Sequence, residues 1–356
     1  MVIKIEQISV PESVEGPEAE RFVEYVRIRN DVEATVLGTP ALAMTPLQLR
    51  PEFEDNPHRI RHLFVARVDG VAVGRAMTTV RPHDLDTGAF ITADVLRPAR
   101  GAGVGTALFE AATGAAHAAG CILLKVNTPH SVLAGGERIP SSTGFGHVAA
   151  ADPGARFLRA RGFTLEQVVR VGMLATAELG AALAGLEQVT DGLVNAGYRT
   201  HTWHGPTPAP WLEGVAHLRT RMSTDAPSGG LGSHEDSWDV ERVAAHDRRI
   251  EDGGQTAITV AAEHVATGRL VGYTELYVPR DGALVIQEDT LVLTEHRGHR
   301  IGAVLKAIAG RQLVRTCPRI EQIVTYNAEE NLPMLEVNSS LGFQPIGYEG
   351  MWRKRP

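Results

Sequence analysis

Apolar and polar residues alternate from Val2 to Ile8, recur at helical spacing from Glu18 to Val36, and alternate again over His62–Val68 and Val71–Val80 with Asp69-Gly70 between them. Strict alternation predicts half-buried strands, a 3.6-residue period predicts a helix, and Asp-Gly between two alternating runs predicts a hairpin. The second half reads in the same way. Tyr198–Trp203 is expected as a strand, Trp211–Met222 and Asp239–Arg249 as helices, and Thr256–His264 pairs with Leu270–Val278 across Thr267-Gly268. Between the halves, Thr176–Asn195 is Ala- and Leu-rich with helical spacing. Ala134–Ser142 and Asp225–Ser233 are rich in Gly, Pro or Ser and read as loops of the kind that border binding sites.

The halves also share a finer order. Asp94-Val-Leu-Arg97 ends an extended run and leads through Arg100-Gly-Ala-Gly-Val-Gly105 into a helical run, Thr106–Ala112. Asp289–Leu293 leads through Arg297-Gly-His-Arg-Ile-Gly302 into Ala303–Ile308. A second strand follows each, Cys121–Val126 and Ile320–Tyr326, and then a helix that stops at Arg161-Gly-Phe163 or Leu341-Gly-Phe343. The recurrence predicts a duplicated module, and 356 residues at about 150 per domain also suggest two. The expected class is α/β with a mixed sheet in each module. The expected division is 1–175, a linker helix 176–196, and 197–356.

Composition narrows the partners. With 35 basic against 42 acidic residues the formal charge is −7, a poor platform for a phosphate backbone, so nucleic acid is not expected. Cys121 and Cys317 are too few for a disulfide framework or a structural zinc site, which suits a reducing cytosol. No run approaches the ~20 apolar residues of a membrane span, and Met1–Glu6 lacks a signal segment, so a cytoplasmic protein is expected without a membrane partner. His201 and His204 would face opposite sides of an extended strand, so no metal is expected. The tail Arg353-Lys-Arg355 reads as a solvated terminus.

The strand-to-helix turns suit an anion. Glycines let backbone amides approach a phosphate, and the helix that follows adds unsatisfied N–H groups and its positive end. Gly103 and Gly105 are the expected closest approaches. In the second turn Arg300 stands where the first has Gly103. Neither turn ends in Gly-Lys-Ser/Thr, which excludes a Walker A loop.

On these residues the chain resembles the GNAT superfamily of acyl-CoA-dependent N-acyltransferases. That family's pyrophosphate loop, Gln/Arg-x-x-Gly-x-Gly/Ala, is matched through Arg100, Gly103 and Gly105, and in the second copy at Arg297 and Gly302 but not at Arg300. Its later helix, Asn-x-x-Ala-x-x-Leu-Tyr-x-x-Leu-Gly-Phe, is similar to Asn331–Phe343, with Met334 for Ala, Val337 for Leu and Asn338 for Tyr. In the first copy only the end is kept, with Leu158 at the tyrosine position and Ala151 at the asparagine position. The whole chain resembles the tandem GNAT type of actinobacterial acetyltransferases such as the mycothiol synthases.

The resemblance implies two GNAT modules and acetyl-CoA as co-substrate. It places CoA along Leu291, Val292 and Leu293, the loop Arg297, Gly298, His299, Arg300, Ile301 and Gly302, and Asn331. In the first module the counterparts are Val95 to Arg97, followed by Arg100, Gly101, Gly103, Val104 and Gly105. Pantetheine would pair with the exposed strand backbone, whose N–H groups would polarise the carbonyl.

Removing a proton from an ammonium requires a base. Glu288 and Asp289 are adjacent on the second module's strand and expected to face opposite sides, so one of them faces the cleft. Glu275 on the preceding strand is an alternative that would bind the ammonium; in the first module Asp94 is the carboxylate at the strand end. Each of these has a structural reading as well, as a solvated or hydrogen-bonded group. Asn338 either donates to the sulfur or packs within its helix, and Tyr326 and Tyr348 are other phenols available to replace the tyrosine.

Tyr198, Tyr273, Tyr277, Tyr326 and Tyr348, of 6 tyrosines, and all 4 tryptophans lie in the second half. Pocket walls and proton donors are therefore richer there, and catalysis is expected in the second module. The expectation is acetyl transfer to a primary amine of a small molecule by direct attack, since no activated nucleophile is visible. A silent CoA-binding scaffold, another acyl group and a protein amine are the alternatives, and a homodimer stays open.

Overall fold

The computed structural model describes residues 2–132, 135–183, 186–232 and 234–354. Parts of the expected loops at 134–142 and 225–233, of the linker helix, and of the basic tail at Arg355 fall outside them. In chain order the elements are β1 (Ile3–Ile8), α1 (Glu20–Leu37), α2 (Pro46–Phe53), β2 (Ile60–Val68), β3 (Val71–Val80), β4 (Ala89–Val95), α3 (Val104–Ala118) and β5 (Leu124–Ser131). The short strands β6 (Arg138–Pro140) and β7 (His147–Ala149) come next, then α4 (Pro153–Arg159) and β8 (Thr164–Ala175). After α5 (Leu179–Ala182) and α6 (Leu186–Asn195) the second half gives β9 (Tyr198–His204), α7 (Leu212–Asp225), α8 (Val240–Asp252), β10 (Gln255–His264) and β11 (Arg269–Pro279). It ends with β12 (Leu284–Val292), α9 (Ile301–Thr316), β13 (Gln322–Ala328), α10 (Leu332–Leu341) and β14 (Gln344–Lys354).

Two compact units form. Unit 1 holds Met1–Arg170, Gly229–Gly232 and Ile346–Pro356; unit 2 holds Val171–Ser228 and Ser233–Pro345. The C-terminal strand, which a simple halving of the sequence gives to the second module, therefore completes the sheet of the first. Gly347–Lys354 of β14 pairs antiparallel with β5, Gly347 opposite Ser131 and Lys354 opposite Leu124.

In unit 1 the order is β1-β2-β3-β4-β5-β14, antiparallel except for the β4–β5 pair. The β2–β3 hairpin turns at Asp69 (φ 48°) and Gly70 (φ 86°), the left-handed pair that a two-residue hairpin turn requires. Alternation sorts β2 between two faces. Phe64 and Ala66 pack with α3 (Val104, Leu108, Ala112) and α4 (Ala155, Leu158), while Leu63 and Val65 pack with α1 (Phe22, Tyr25, Val26, Ile28). Trp352 of β14 is fully buried in the α3 side of this core.

Unit 2 repeats the plan with β9-β10-β11-β12-β13, again with one parallel pair, β12–β13. Val171–Ala175, the end of β8, lies beside β13, where Thr176 N–H donates to Glu321 O at 2.9 Å. Both modules close their last helix alike: Phe163 N–H donates to Leu158 O, and Phe343 N–H to Asn338 O, across a left-handed glycine.

Candidate active site

In each module the parallel pair is short and then parts. The last paired residues are Ile91 and Val126 in unit 1, Gln287 and Thr325 in unit 2. Beyond them lies the Gly-rich turn, built twice with the same bonds. Arg100 Nε donates to Val95 O at 2.9 Å, and Arg297 Nε donates to Val292 O at 3.0 Å. The arginine thus pins the loop to the end of the parted strand. Gly103 (φ 88°) and Arg300 (φ 60°) hold the same left-handed N-cap. For an L side chain that conformation costs about 1–2 kcal/mol, so Arg300 occupies it at a penalty that Gly103 avoids.

Unit 1 contains a cavity of about 500 Å³ at this place. Val95, Arg100, Gly101, Gly103 and Gly105 line it, while Val104 points into the core. From the α3/α4 face Thr106, Phe109, Phe157 and Leu158 contribute, and from the α1 face Val32 and Val36. The cavity therefore runs through the sheet at the gap between β4 and β5. At the loop end Arg161 donates to Thr106 Oγ1 at 2.8 Å and lies 3.5 Å above the Phe157 ring, a second cation beside the first amides of α3.

On the α1 face Asp94 is held by Arg75 at 2.6 Å, and Arg75 also donates to Tyr25 Oη at 3.1 Å. Glu33 pairs with Arg29 at 2.8 Å. Glu349 of β14 joins them, opposite the cavity-lining Pro129. Odd-numbered β14 residues face α1, since a Cβ at Gly347 would meet Leu37 at 2.2 Å. Burial, and then the like charge of Glu33, push the Glu349 carboxyl up to about 7 against the pull of Arg29 and an Asn127 hydrogen bond.

On the other face of β5, Thr128 lines the cavity and its Oγ1 is 2.8 Å from His130 Nε2. His130 Nδ1 is 3.3 Å from Oδ1 of Asp152, which caps α4 by accepting from the amides of Gly154 and Ala155. Burial acts to raise the Asp152 carboxyl, but His130 and these amides hold it below its ordinary value.

The second module arranges its candidates differently. Glu275 is buried and accepts from Arg219 at 2.6 Å; burial raises its carboxyl against that guanidinium's pull. Asp289 is half-buried, accepts from Tyr273 Oη at 2.8 Å and lies 3.7 Å from Arg219, whereas Glu288 is exposed. Thr274 pairs with Thr290 and Leu276 with Gln287, so Glu288 and Asp289 together oppose Glu275 in a β-bulge. Leu291, Leu293 and Ile301 are core residues, Val292 is half-buried, and His299 lies against Tyr198 with ring centroids 5.6 Å apart. Gly298 (φ 87°) turns the loop, and Gly302 approaches Val292 and Thr290. Asn331 starts α10 without a side-chain cap bond. Asn338 is buried; it accepts from Lys306 Nζ at 2.9 Å and donates to Asn327. Burial brings the Lys306 ammonium down to about 7.

Residues 34–132 match the model of the acetyltransferase (GNAT) family. That match lies within the first module. Among solved structures, a tandem GNAT protein from the clavulanic acid biosynthesis pathway is 22% identical with a TM-score of 0.71, over 99% of this chain and 98% of that one. A GCN5-related N-acetyltransferase from Sphaerobacter thermophilus is 13% identical with a TM-score of 0.61, over 99% and 96%. These likenesses establish the tandem GNAT fold along the chain. No curated protein sequence matches it. Among the described residues no helix is long and apolar enough to cross a membrane, and no cluster of His, Cys, Asp or Glu is placed to hold a metal.

Thr128, His130, Asp152, Arg161, Lys306 and Glu349 were not singled out in the sequence. Only Lys306 carries a local signal, as the lone charge in Ala303–Ile308.

Proposed function

We propose that the protein transfers an acetyl group from acetyl-CoA to the amine of a small molecule, and that the transfer takes place in the first module. The observation that carries this reading is the cavity through the gap between β4 and β5. The residues present suit CoA. The amides of Val104–Thr106, which precede the first helical bond of α3, together with Arg100 and Arg161, would hold the diphosphate. When bound, CoA supplies the activated thioester. Phe109, Phe157 and Leu158 would cover the pantetheine and exclude water, and the parted backbone of β4 would orient the carbonyl.

The amine enters from the α1 face. There the carboxyls of Glu33, Asp94 and Glu349 meet the guanidiniums of Arg29 and Arg75. Asp94 and Glu33 each have a close arginine partner, which leaves Glu349 to take a proton from the ammonium. In unit 2 the buried Lys306 and Asn338, at the positions of Phe109 and Leu158, are tied to each other and to Asn327 of β13, which favours a ligand-holding or structural part for that module.

Gly103→Glu tests the assignment. A Cβ at Gly103 has room, its nearest neighbour being Ile3 at 3.7 Å, so the variant acts through a carboxylate at the diphosphate and through the left-handed backbone. Acetyl-CoA-dependent thiol release with an amine panel should fall by roughly 100-fold or more, with the fold intact by circular dichroism. Gly302→Glu should stay within a few-fold of the parent. The reverse outcome would move turnover to the second module.

A further inference from the structure

We infer that the acceptor of the first module is an amine on an apolar carbon skeleton that carries no acid group, selected by Val32, Val36 and Pro129 together with the carboxyls of the α1 face. This rests on the transfer reading above and names the class of molecule that the α1 end of the cavity takes.

Charge supplies the first criterion. Glu33, Asp94 and Glu349 share that face with Arg29 and Arg75, so carboxyls outnumber guanidiniums. Both cations are already held. Arg75 donates to Asp94 Oδ2 through Nε at 2.7 Å, lies 2.6 Å from it at Nη2, and donates to Tyr25 Oη through Nη1. Arg29 Nη1 donates to Asn30 Oδ1 at 2.9 Å and to Leu42 O at 3.2 Å, and pairs with Glu33. With Glu349 ionised the face carries one negative charge in excess, which a single ammonium neutralises. An acceptor that also bears a carboxylate or a phosphate would set its anion among these carboxyls, and the like charges repel. Arg100 and Arg161 stand at the other end, on the Gly-rich turn and the first turn of α3.

The wall supplies the second criterion. Val32 and Val36 are one turn apart on α1 and both line the cavity, which gives an apolar ridge about 6 Å long. Pro129, also on the wall, is the Cα partner of Glu349, so apolar surface begins beside the carboxyl that takes the ammonium's proton. A nitrogen at Glu349 therefore has its carbons laid over Pro129 and along the two valines. A pentyl chain or a phenyl ring is buried there favourably, whereas a second ammonium or the hydroxyls of an amino sugar would lose water without gaining a partner.

The full-length protein and acetyl-CoA are assayed for thiol release with paired acceptors: isoamylamine against leucine, phenethylamine against phenylalanine, and pentylamine against cadaverine. Each monoamine should exceed its amino acid by roughly 100-fold in kcat/KM, and pentylamine should exceed cadaverine by about tenfold or more, mainly through KM. An α-amino nitrogen is the weaker base, so its larger neutral fraction works against this order. Val36→Lys places an ammonium on the ridge at a half-buried helical position. It should narrow the ratio of monoamine to amino acid about tenfold or more, with acetyl-CoA affinity unchanged; if the variant does not fold by circular dichroism, the comparisons in the parent decide. Amino acids used as well as their monoamines, cadaverine used as well as pentylamine, or a ratio unmoved in folded Val36→Lys overturns the acceptor class and leaves acetyl transfer in the first module standing. Thiol release with none of these amines overturns the class as well, and acetyl-CoA affinity insensitive to Gly103→Glu would remove the transfer reading beneath it.

Discussion

Where the parallel strands part, the first module ends its pairing at Ile91 and Val126, and the second at Gln287 and Thr325. The same contrast extends along the gap. On the helix after each Gly-rich turn, Phe109 of unit 1 has Lys306 as its counterpart, and at the family tyrosine position Leu158 has Asn338. One module has Phe109 and Leu158 on the walls of a cavity; the other has Lys306 and Asn338 bonded to each other and to Asn327 of β13, with Thr325 Oγ1 donating to Gln287 O at 3.4 Å. Two frames with the same loop bonds, Arg100 to Val95 and Arg297 to Val292, thus carry different interiors. The backbone of the Gly-rich turn tolerates divergence in the gap beside it, because the loop is held by its own arginine and glycines.

Three substitutions sharpen this comparison. The largest effect is expected at Glu349→Gln. In the parent kcat/KM should climb as the pH rises through about 7, where the carboxyl ionises, and level off above it. The variant should lose the climb and fall by about 10²–10⁴-fold in rate, while acetyl-CoA affinity holds. A climb that survives the substitution would take the base role from Glu349.

A smaller effect, on stability, is expected at Lys306→Met. The folded-state value near 7 lies below the ordinary 10.5, so the unfolded chain binds more protons between those limits and stability of the parent should rise with pH across that window. The full penalty of the buried ammonium is present below about pH 7 and is relieved toward 10.5. Urea unfolding of the variant should show a flatter profile, differing by a few kcal/mol at neutral pH; parallel profiles would mean that Lys306 titrates normally.

The smallest change is Arg300→Gly. Removing the side chain from a left-handed N-cap should stabilise the protein by about 1 kcal/mol, read as a small upward shift in melting temperature. No shift would mean that Arg300 recovers its strain through contacts of its own.

Much of the frame was legible in the sequence because its signals are local. Asp69-Gly70 announces its hairpin by conformation alone, and the two Gly-rich turns repeat at the same place between strand and helix. Apolar periodicity located α1, α7 and α8 to within a few residues of their observed ends. The contents of the sites were less legible, because they depend on pairing across distance. Alternation put Glu288 and Asp289 on opposite faces, but the bulge opposite Glu275 sets both orientations and needs the register of β11 to be seen. His130 and Asp152 become partners only when α4 starts beside β5. The count of tyrosines in the second half was informative about composition, yet Tyr348 lies in unit 1. Glu349 follows the same route, and no local pattern in Gln344–Lys354 tells which sheet that strand joins.

The last strand of the chain completing the first module's sheet has a consequence for synthesis. A ribosome adds about 5–20 residues per second, so the β5 edge waits many seconds after translation for the segment that brings Glu349, Gly350 and Trp352 to it. The module made first is finished last. A premature stop before β14, or a protease that removes it, would leave the β5 edge, encoded some two hundred codons upstream, without its partner strand.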